Sequence, residues 1–184
     1  MIVGVGGQGS LLASKLLGNA LMIKGFDVKV SEVHGMAQRG GSVVTYVRYG
    51  DEVASPVIEP GSADVIMSFE LLEAARWLPY LKMGGKMIVN NQSIDPMPVI
   101  TGAAAYPVDI AAKIAAMGVD IQTVDALRLA EEAGSSKAVN VVLMGVMAHS
   151  LAIEMDVWQQ AIEQSVKPQF VELNKKAFAL GYNA

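Results

Sequence analysis

Two stretches of the chain hold residue types whose spacing could do chemistry. The first is Gly4-Val5-Gly6-Gly7-Gln8-Gly9, a G-x-G-x-x-G run between a short β-branched segment and an amphipathic one. Glycines in that context permit a tight turn and close backbone approach, and the following helix start offers unpaired N–H groups to a phosphate. The same glycines can also serve only to let helix and strand pack closely. The second stretch is Glu32-Val33-His34-Gly35-Met36-Ala37-Gln38-Arg39-Gly40-Gly41. Arg39 presents a fixed fork of donors suited to phosphate or carboxylate. Glu32 falls about 20 residues beyond the glycines, where a dinucleotide-binding unit places the acid that holds a ribose. The candidate binding residues are therefore Gly4, Gly6, Gly7, Gln8, Gly9, His34, Gln38, Arg39 and Gly40.

These residues need a scaffold, and the hydrophobic pattern supplies one. Short β-branched runs alternate with longer helical segments, which predicts an α/β, three-layer, Rossmann-like and mostly parallel sheet. Residues 2–5 read as a strand, 10–24 as a helix with Leu12, Leu16, Ala20 and Ile23 on one face, and 27–33 as a strand. If those two strands are parallel, both candidate loops leave the same carboxyl edge, where open α/β sheets bind ligands. Residues 42–49 alternate as a strand, and Gly50-Asp51 predicts a tight turn to 52–55, a hairpin insertion. Further on, 64–69 and 86–90 read as strands around a helix over 71–81, with Gly84-Gly85 as the break. Three prolines after residue 91 predict an irregular connection with a short strand at Val99-Ile100. Helices follow over 108–117 and 126–133, around a strand at 121–124. A long, nearly all-round apolar helix spans 138–155, Asp156 is the expected N-cap of the next one, and 170–180 closes a helical C-terminus. With 184 residues and no internal repeat, one domain over 1–184 is the expectation.

Smaller candidates lie at other strand ends: Ser68, Phe69 and Glu70, and Asn90 with Asn91. Glu70 can equally favour its helix start through the dipole. His149 lies within the apolar helix and reads as a core or interface histidine, and the eleven methionines as adaptable packing.

Composition removes several functions. There are no cysteines, so this chain holds no iron–sulfur cluster, thiol nucleophile or Cys-based zinc site, and two histidines leave little for a metal centre. A net charge of −4 argues against nucleic acid. No apolar run approaches the ~20 residues of a membrane span, and no basic region precedes the first apolar residues as in a secretory signal, so the cytoplasm is the expectation. Only 17% of residues are charged, against about 25% in ordinary domains, which suits either a surface covered by a partner or simply an apolar-rich core. The lipase-type G-x-S-x-G, the P-loop and H-E-x-x-H are all absent, and no nucleophile–base pair stands out, so no catalytic residue is assigned.

Taken together and in this order, Gly4–Gly9 and Ser31–Gly41 resemble the gamma-type domain of the 2-oxoacid:ferredoxin oxidoreductase family, and within it the indolepyruvate type. Residues 63–70, 78–82, Lys137-Ala138-Val139-Asn140 and 166–178 extend the resemblance over essentially the whole chain. The strand before the glycines is shorter than the family pattern. The resemblance implies a small, non-redox subunit supporting oxidative decarboxylation of a 2-oxoacid, indolepyruvate or another arylpyruvate, to an acyl-CoA. Thiamine diphosphate and iron–sulfur clusters would belong to a large alpha subunit, ferredoxin would be reached through the complex, and coenzyme A would sit at the interface near the two loops. Two other readings stay open on the residues alone: a free-standing nucleotide-binding regulatory module and an NAD-dependent dehydrogenase.

Overall fold

Six strands build one sheet in the order β2-β3-β1-β4-β5-β6, and a computed structural model describes residues 1–35 and 40–184 of it. β1 (Ile2–Val5) leads through the glycine turn into α1 (Ser10–Ile23). Gly25, with φ 88°, ends that helix in the left-handed conformation and releases the chain into β2 (Asp27–His34). β3 (Ser42–Gly50) runs antiparallel to both β1 and β2, while β4 (Ala63–Ser68) pairs parallel with β1. α2 (Leu71–Trp77) then leads to β5 (Leu81–Asn90), followed by two short helices, α3 (Met97–Ile100) and α4 (Ile110–Ala116). β6 (Asp120–Val124) completes the sheet, and α5 (Ala126–Ala133), α6 (Val139–Ala148), α7 (Met155–Ser165) and α8 (Val171–Tyr182) form the C-terminal half.

Two apolar clusters make the three layers. One face of the sheet, through Ile2, Met67 and Ile88, packs on α1 and α5 to α8, with Trp158, Leu143 and Phe178 fully buried there. The other face, through Val3, Ile66 and Val89, packs on α2 and α4. α6 and α8 approach closely, because Gly145 and Gly181 let the two backbones touch. A Cβ on Gly145 would stand 2.2 Å from the Phe178 carbonyl oxygen, and one on Gly181 2.0 Å from that of Val142.

Several expectations are corrected. The antiparallel hairpin joins β2 to β3 through residues 35–41, whereas the predicted partner at 52–55 forms no strand. There the chain curls inward instead: Val53 donates its N–H to Asp27 Oδ2, and Val53 and Ile58 are buried. β1 and β2 do run in one direction, but β3 lies between them, so they are not the adjacent pair of a dinucleotide-binding unit. Residues 97–100 form a helical turn rather than a strand, because the Val99 and Ile100 N–H groups both return to the Pro96 carbonyl. Pro79 and a 3₁₀ turn at Leu78–Tyr80 end the helix of α2 early. Gly84-Gly85 is then a bulge inside β5, opposite the irregularity between Ala63 and Val65. The long apolar helix stops at Ala148, where His149 stacks on Tyr182 at a ring distance of 4.0 Å. Glu154, not Asp156, occupies the N-cap of α7.

Candidate functional site

The glycine turn leaves the carboxyl end of β1, and each of its residues has a distinct environment. Gly4 is boxed in: a Cβ there would lie 2.9 Å from Phe69 Cβ and 2.8 Å from Gln8 Oε1. Gly6 donates its N–H to the Gly41 carbonyl at 2.9 Å, directly joining the two candidate loops. Gly7, with φ 102°, is exposed and meets nothing within 4 Å. Gly9, with φ 88°, stands at the N-cap of α1, and a Cβ on it would stand 2.6 Å from Asn140 Nδ2. The first turn of α1 has N–H groups without intrahelical acceptors, and its residues Ser10 and Leu11 border the space beside these glycines.

Gln8 is spent on the scaffold. Its Oε1 accepts from Val5 N at 2.7 Å, and its Nε2 donates to Phe69 O and to Gln92 Oε1, both at 3.2 Å. Asn90, 1% exposed, continues the chain of amides: its Nδ2 donates to Gln92 Oε1 and Phe69 O, and its Oδ1 accepts from Ala126 N. The ends of β1, β4, β5 and β6 are thus tied by neutral amides that a charge could not replace without leaving donors unmatched.

Beside the glycines lies a cleft of about 400 Å³, walled by Gly6, Gly7 and Gly9 on one side and by Glu32 and His34 on the other. Glu32 Oε2 accepts from Ser10 Oγ at 3.0 Å and Thr45 Oγ1 at 3.2 Å, so the carboxylate rests on the first turn of α1 where the helix dipole favours it. His34 is exposed, with Nδ1 3.1 Å from the Gly35 carbonyl oxygen. Gly40, with φ 79°, is exposed on the same loop. Gln38 and Arg39 lie outside the described residues. A second cavity, of about 510 Å³, lies at the opposite, amino edge between β3 and β4, lined in part by Met1, Tyr49 and Asp64. No motif residue reaches it.

The smaller candidates are structural ties. Glu70, 1% exposed, caps α2 by accepting from Glu73 N at 2.8 Å. It also accepts from Ile94 N at 3.0 Å and from the Tyr106 hydroxyl. Burial, and next the bond to Glu70, push the Tyr106 phenol up to about 12. Asn91 donates its N–H to Val124 O. His149 is exposed at the far end of α6 rather than in the core. Among the described residues, no three His, Asp or Glu side chains gather as a metal site, and no helix is long and apolar enough to cross a membrane.

Sequence reasoning overlooked Glu73, Gln92 and Ser42. Glu73 and Gln92 read as ordinary polar residues, and only the fold brings them to the carboxyl edge. In the sequence Asn140 is only part of a matching stretch, yet its Nδ2 donates to the Gly9 carbonyl at 3.2 Å and seats α6 against the glycine turn.

Comparison with known proteins meets this geometry over its full length. Residues 1–184 match the family model described as pyruvate ferredoxin/flavodoxin oxidoreductase. The indolepyruvate oxidoreductase subunit IorB of Thermococcus kodakarensis is 43% identical over 189 residues, covering 100% of this chain and 94% of that one. The crystal structure of a keto/oxoacid ferredoxin oxidoreductase gamma subunit from Geobacter sulfurreducens shares the fold with a TM-score of 0.71 at 22% identity, over 99% of this chain and 94% of that one. A 2-oxoglutarate:ferredoxin oxidoreductase from Magnetococcus marinus, solved with 2-oxoglutarate, coenzyme A and succinyl-CoA bound, contains the same fold within a longer chain. There the TM-score is 0.72 at 17% identity, covering 99% of this chain and 30% of that one. With the family model and a 43% identical relative both spanning the chain, it belongs to the pyruvate ferredoxin/flavodoxin oxidoreductase family.

Proposed function

We propose that this chain is the small, non-redox subunit of an indolepyruvate:ferredoxin oxidoreductase, supporting oxidative decarboxylation of an arylpyruvate to an acyl-CoA. The observation that carries the reading is the 43% identity with an indolepyruvate oxidoreductase subunit along the entire chain. Its residues do not fit the redox groups of such an enzyme: without a cysteine there is no thiolate to hold a cluster. Thiamine diphosphate and the iron–sulfur clusters accordingly belong on a large alpha subunit, which supplies the decarboxylation and the path to ferredoxin. The place of the complex is the cytoplasm, where coenzyme A and reduced ferredoxin are used.

The part left to this chain is binding. The cleft at the glycine turn, lined by Gly6, Gly7, Gly9 and His34, is proposed to seat coenzyme A at the subunit interface, with Gly40 and with Gln38 and Arg39, which lie outside the described residues, proposed to take part. Gly4 and Gln8 serve that site by fixing the turn. Support comes from the bond between Gly6 and Gly41, which ties the glycine turn to the residue that precedes β3. A dinucleotide dehydrogenase is disfavoured, because β3 separates the two strands such a fold keeps adjacent.

Co-expression with the large subunit tests the assignment. A brown, thiamine-containing complex should form whose indolepyruvate-dependent ferredoxin reduction requires this chain. Full activity of the large subunit alone, or activity of this chain alone, overturns it.

A further inference from the structure

We propose that Glu32 is a specificity-determining residue of the cleft at the glycine turn. It accepts a hydrogen bond from a hydroxyl or amide N–H of the ligand and keeps the ligand's phosphates off its own wall; this rests on the coenzyme A reading above. The spacing of Glu32 from the glycines predicts the acid of a dinucleotide-binding unit, and the fold removes that basis, since β3 stands between β1 and β2. The side chain nevertheless arrives at the glycine turn by another route. Glu32 pairs with Thr45 of β3, and Thr45 pairs in turn with Ile2 of β1. From there Glu32 Oε2 reaches two hydroxyls. Ser10 Oγ, on the first residue of α1, donates to it at 3.0 Å, and Thr45 Oγ1, fully buried, donates at 3.2 Å. The carboxylate is thus fixed between strand and helix, while the residue stays exposed and lines the cleft together with Gly6, Gly7 and Gly9.

Tying β3 to α1 needs only one oxygen, and a neutral amide would serve. Both bonds fall on Oε2, and among the described residues none falls on Oε1. The oxygen left for a ligand is therefore Oε1. An ionised carboxylate can only accept hydrogen bonds, so what meets it must be a donor. A phosphate there would bring like charges together. Coenzyme A carries both kinds of group: phosphates at its nucleotide end, and hydroxyl and amide N–H donors on its ribose and pantetheine arm. Glu32 accordingly orients it, with a donor-bearing portion against the end of β2.

The test is calorimetric titration of coenzyme A, without 2-oxoacid, into the complex with its large subunit, using wild type, Glu32→Gln and Gly7→Leu. In Glu32→Gln the Ser10 and Thr45 hydroxyls hold the amide oxygen in the place of Oε2, which turns the amide nitrogen toward the ligand. A ligand donor then meets a donor, and the Kd should rise roughly tenfold, the worth of one hydrogen bond to a charged group. The denaturation midpoint should hold, because both internal bonds survive. A fall in Kd means that a phosphate faces this residue, and it overturns the proposal. A raised Kd with a lowered midpoint marks a broken tie between β3 and α1, and overturns it too. Gly7→Leu places a bulky side chain in the cleft, from a position where a Cβ meets nothing within 4 Å. If Gly7→Leu weakens binding while Glu32→Gln leaves it unchanged, the role of Glu32 fails and the coenzyme A reading stands. If neither variant changes the Kd, the coenzyme A reading fails, and the proposal with it.

Discussion

Gly6 donates its backbone N–H to the carbonyl of Gly41 at 2.9 Å, and this bond ties the glycine turn to a residue far away in sequence, just before β3. It also withdraws the Gly6 amide from any ligand. The amides left for an anion in the cleft are those around Gly7, Gly9 and the first turn of α1. The glycine motif divides into two kinds of position: those that shape the turn and those that face the cleft.

That division predicts different outcomes at Gly7 and Gly9. Gly7→Ala costs only the strain of a side chain at positive φ, about 1 kcal/mol, because no atom lies within 4 Å of the new Cβ. Gly9→Ala carries the same strain and also drives a methyl to 2.6 Å from Asn140 Nδ2. Its loss should be roughly 2–3 kcal/mol, since α6 must shift or give up its bond to the Gly9 carbonyl. Chemical denaturation of both variants decides it. Equal losses would show that Asn140 yields freely.

Gln8→Glu probes the amide network with almost no change of shape. The acceptor toward Val5 N survives, but the Nε2 donor is replaced by an oxygen facing Phe69 O and Gln92 Oε1. Opposed acceptors in a partly buried site should cost about 1–3 kcal/mol. A midpoint unchanged from wild type would mean that water takes over these bonds.

Gly145→Ala and Gly181→Ala test the contact between α6 and α8. Each Cβ would overlap a carbonyl oxygen of the facing helix, Phe178 O at 2.2 Å and Val142 O at 2.0 Å, and backbone cannot rotate away. Each substitution should cost roughly 2–4 kcal/mol. Together they should cost less than their sum, because one separation of the helices relieves both clashes. Strict additivity in thermal unfolding would contradict the shared contact.

Which of these features the sequence reveals follows from their physics. The glycine turn is legible because turn chemistry and helix starts depend on residues close together in the chain. Strand order is not local. Ser42–Gly50 alternates cleanly and could pair with either flank, and the two-residue signal at Gly50-Asp51 pointed to the wrong one. The true partner lies across the seven residues from 35 to 41, a longer connection than the two-residue hairpin turn. Residues 138–155 are apolar on nearly every side, and the one glycine among them, Gly145, lies inside the helix, so no helix-stop signal marks the end at Ala148. There His149 stacks on Tyr182 of another helix, a contact only the fold supplies. Glu73 and Gln92 are hidden for a similar reason, since a polar residue looks solvated until the fold buries it.

Tyr106 offers the clearest test by pH. Its hydroxyl donates to Glu70 and accepts from Leu72 N at 3.1 Å, linking the connection after β5 to the start of α2. Burial first, then the bond to Glu70, raise its folded value from 10.0 to about 12. A raised value means that the folded state favours the protonated phenol. Its contribution is therefore fully present below about 10 and is lost as pH climbs through about 12. Tyr106→Phe should be less stable than wild type by about 1–2 kcal/mol near neutral pH, because Glu70 loses a donor and Leu72 N an acceptor. Above pH 10 the wild type gives up its advantage, and the two denaturation midpoints should converge. A gap that stays constant from neutral pH to the top of that window would show that the phenol titrates at the same pH folded and unfolded.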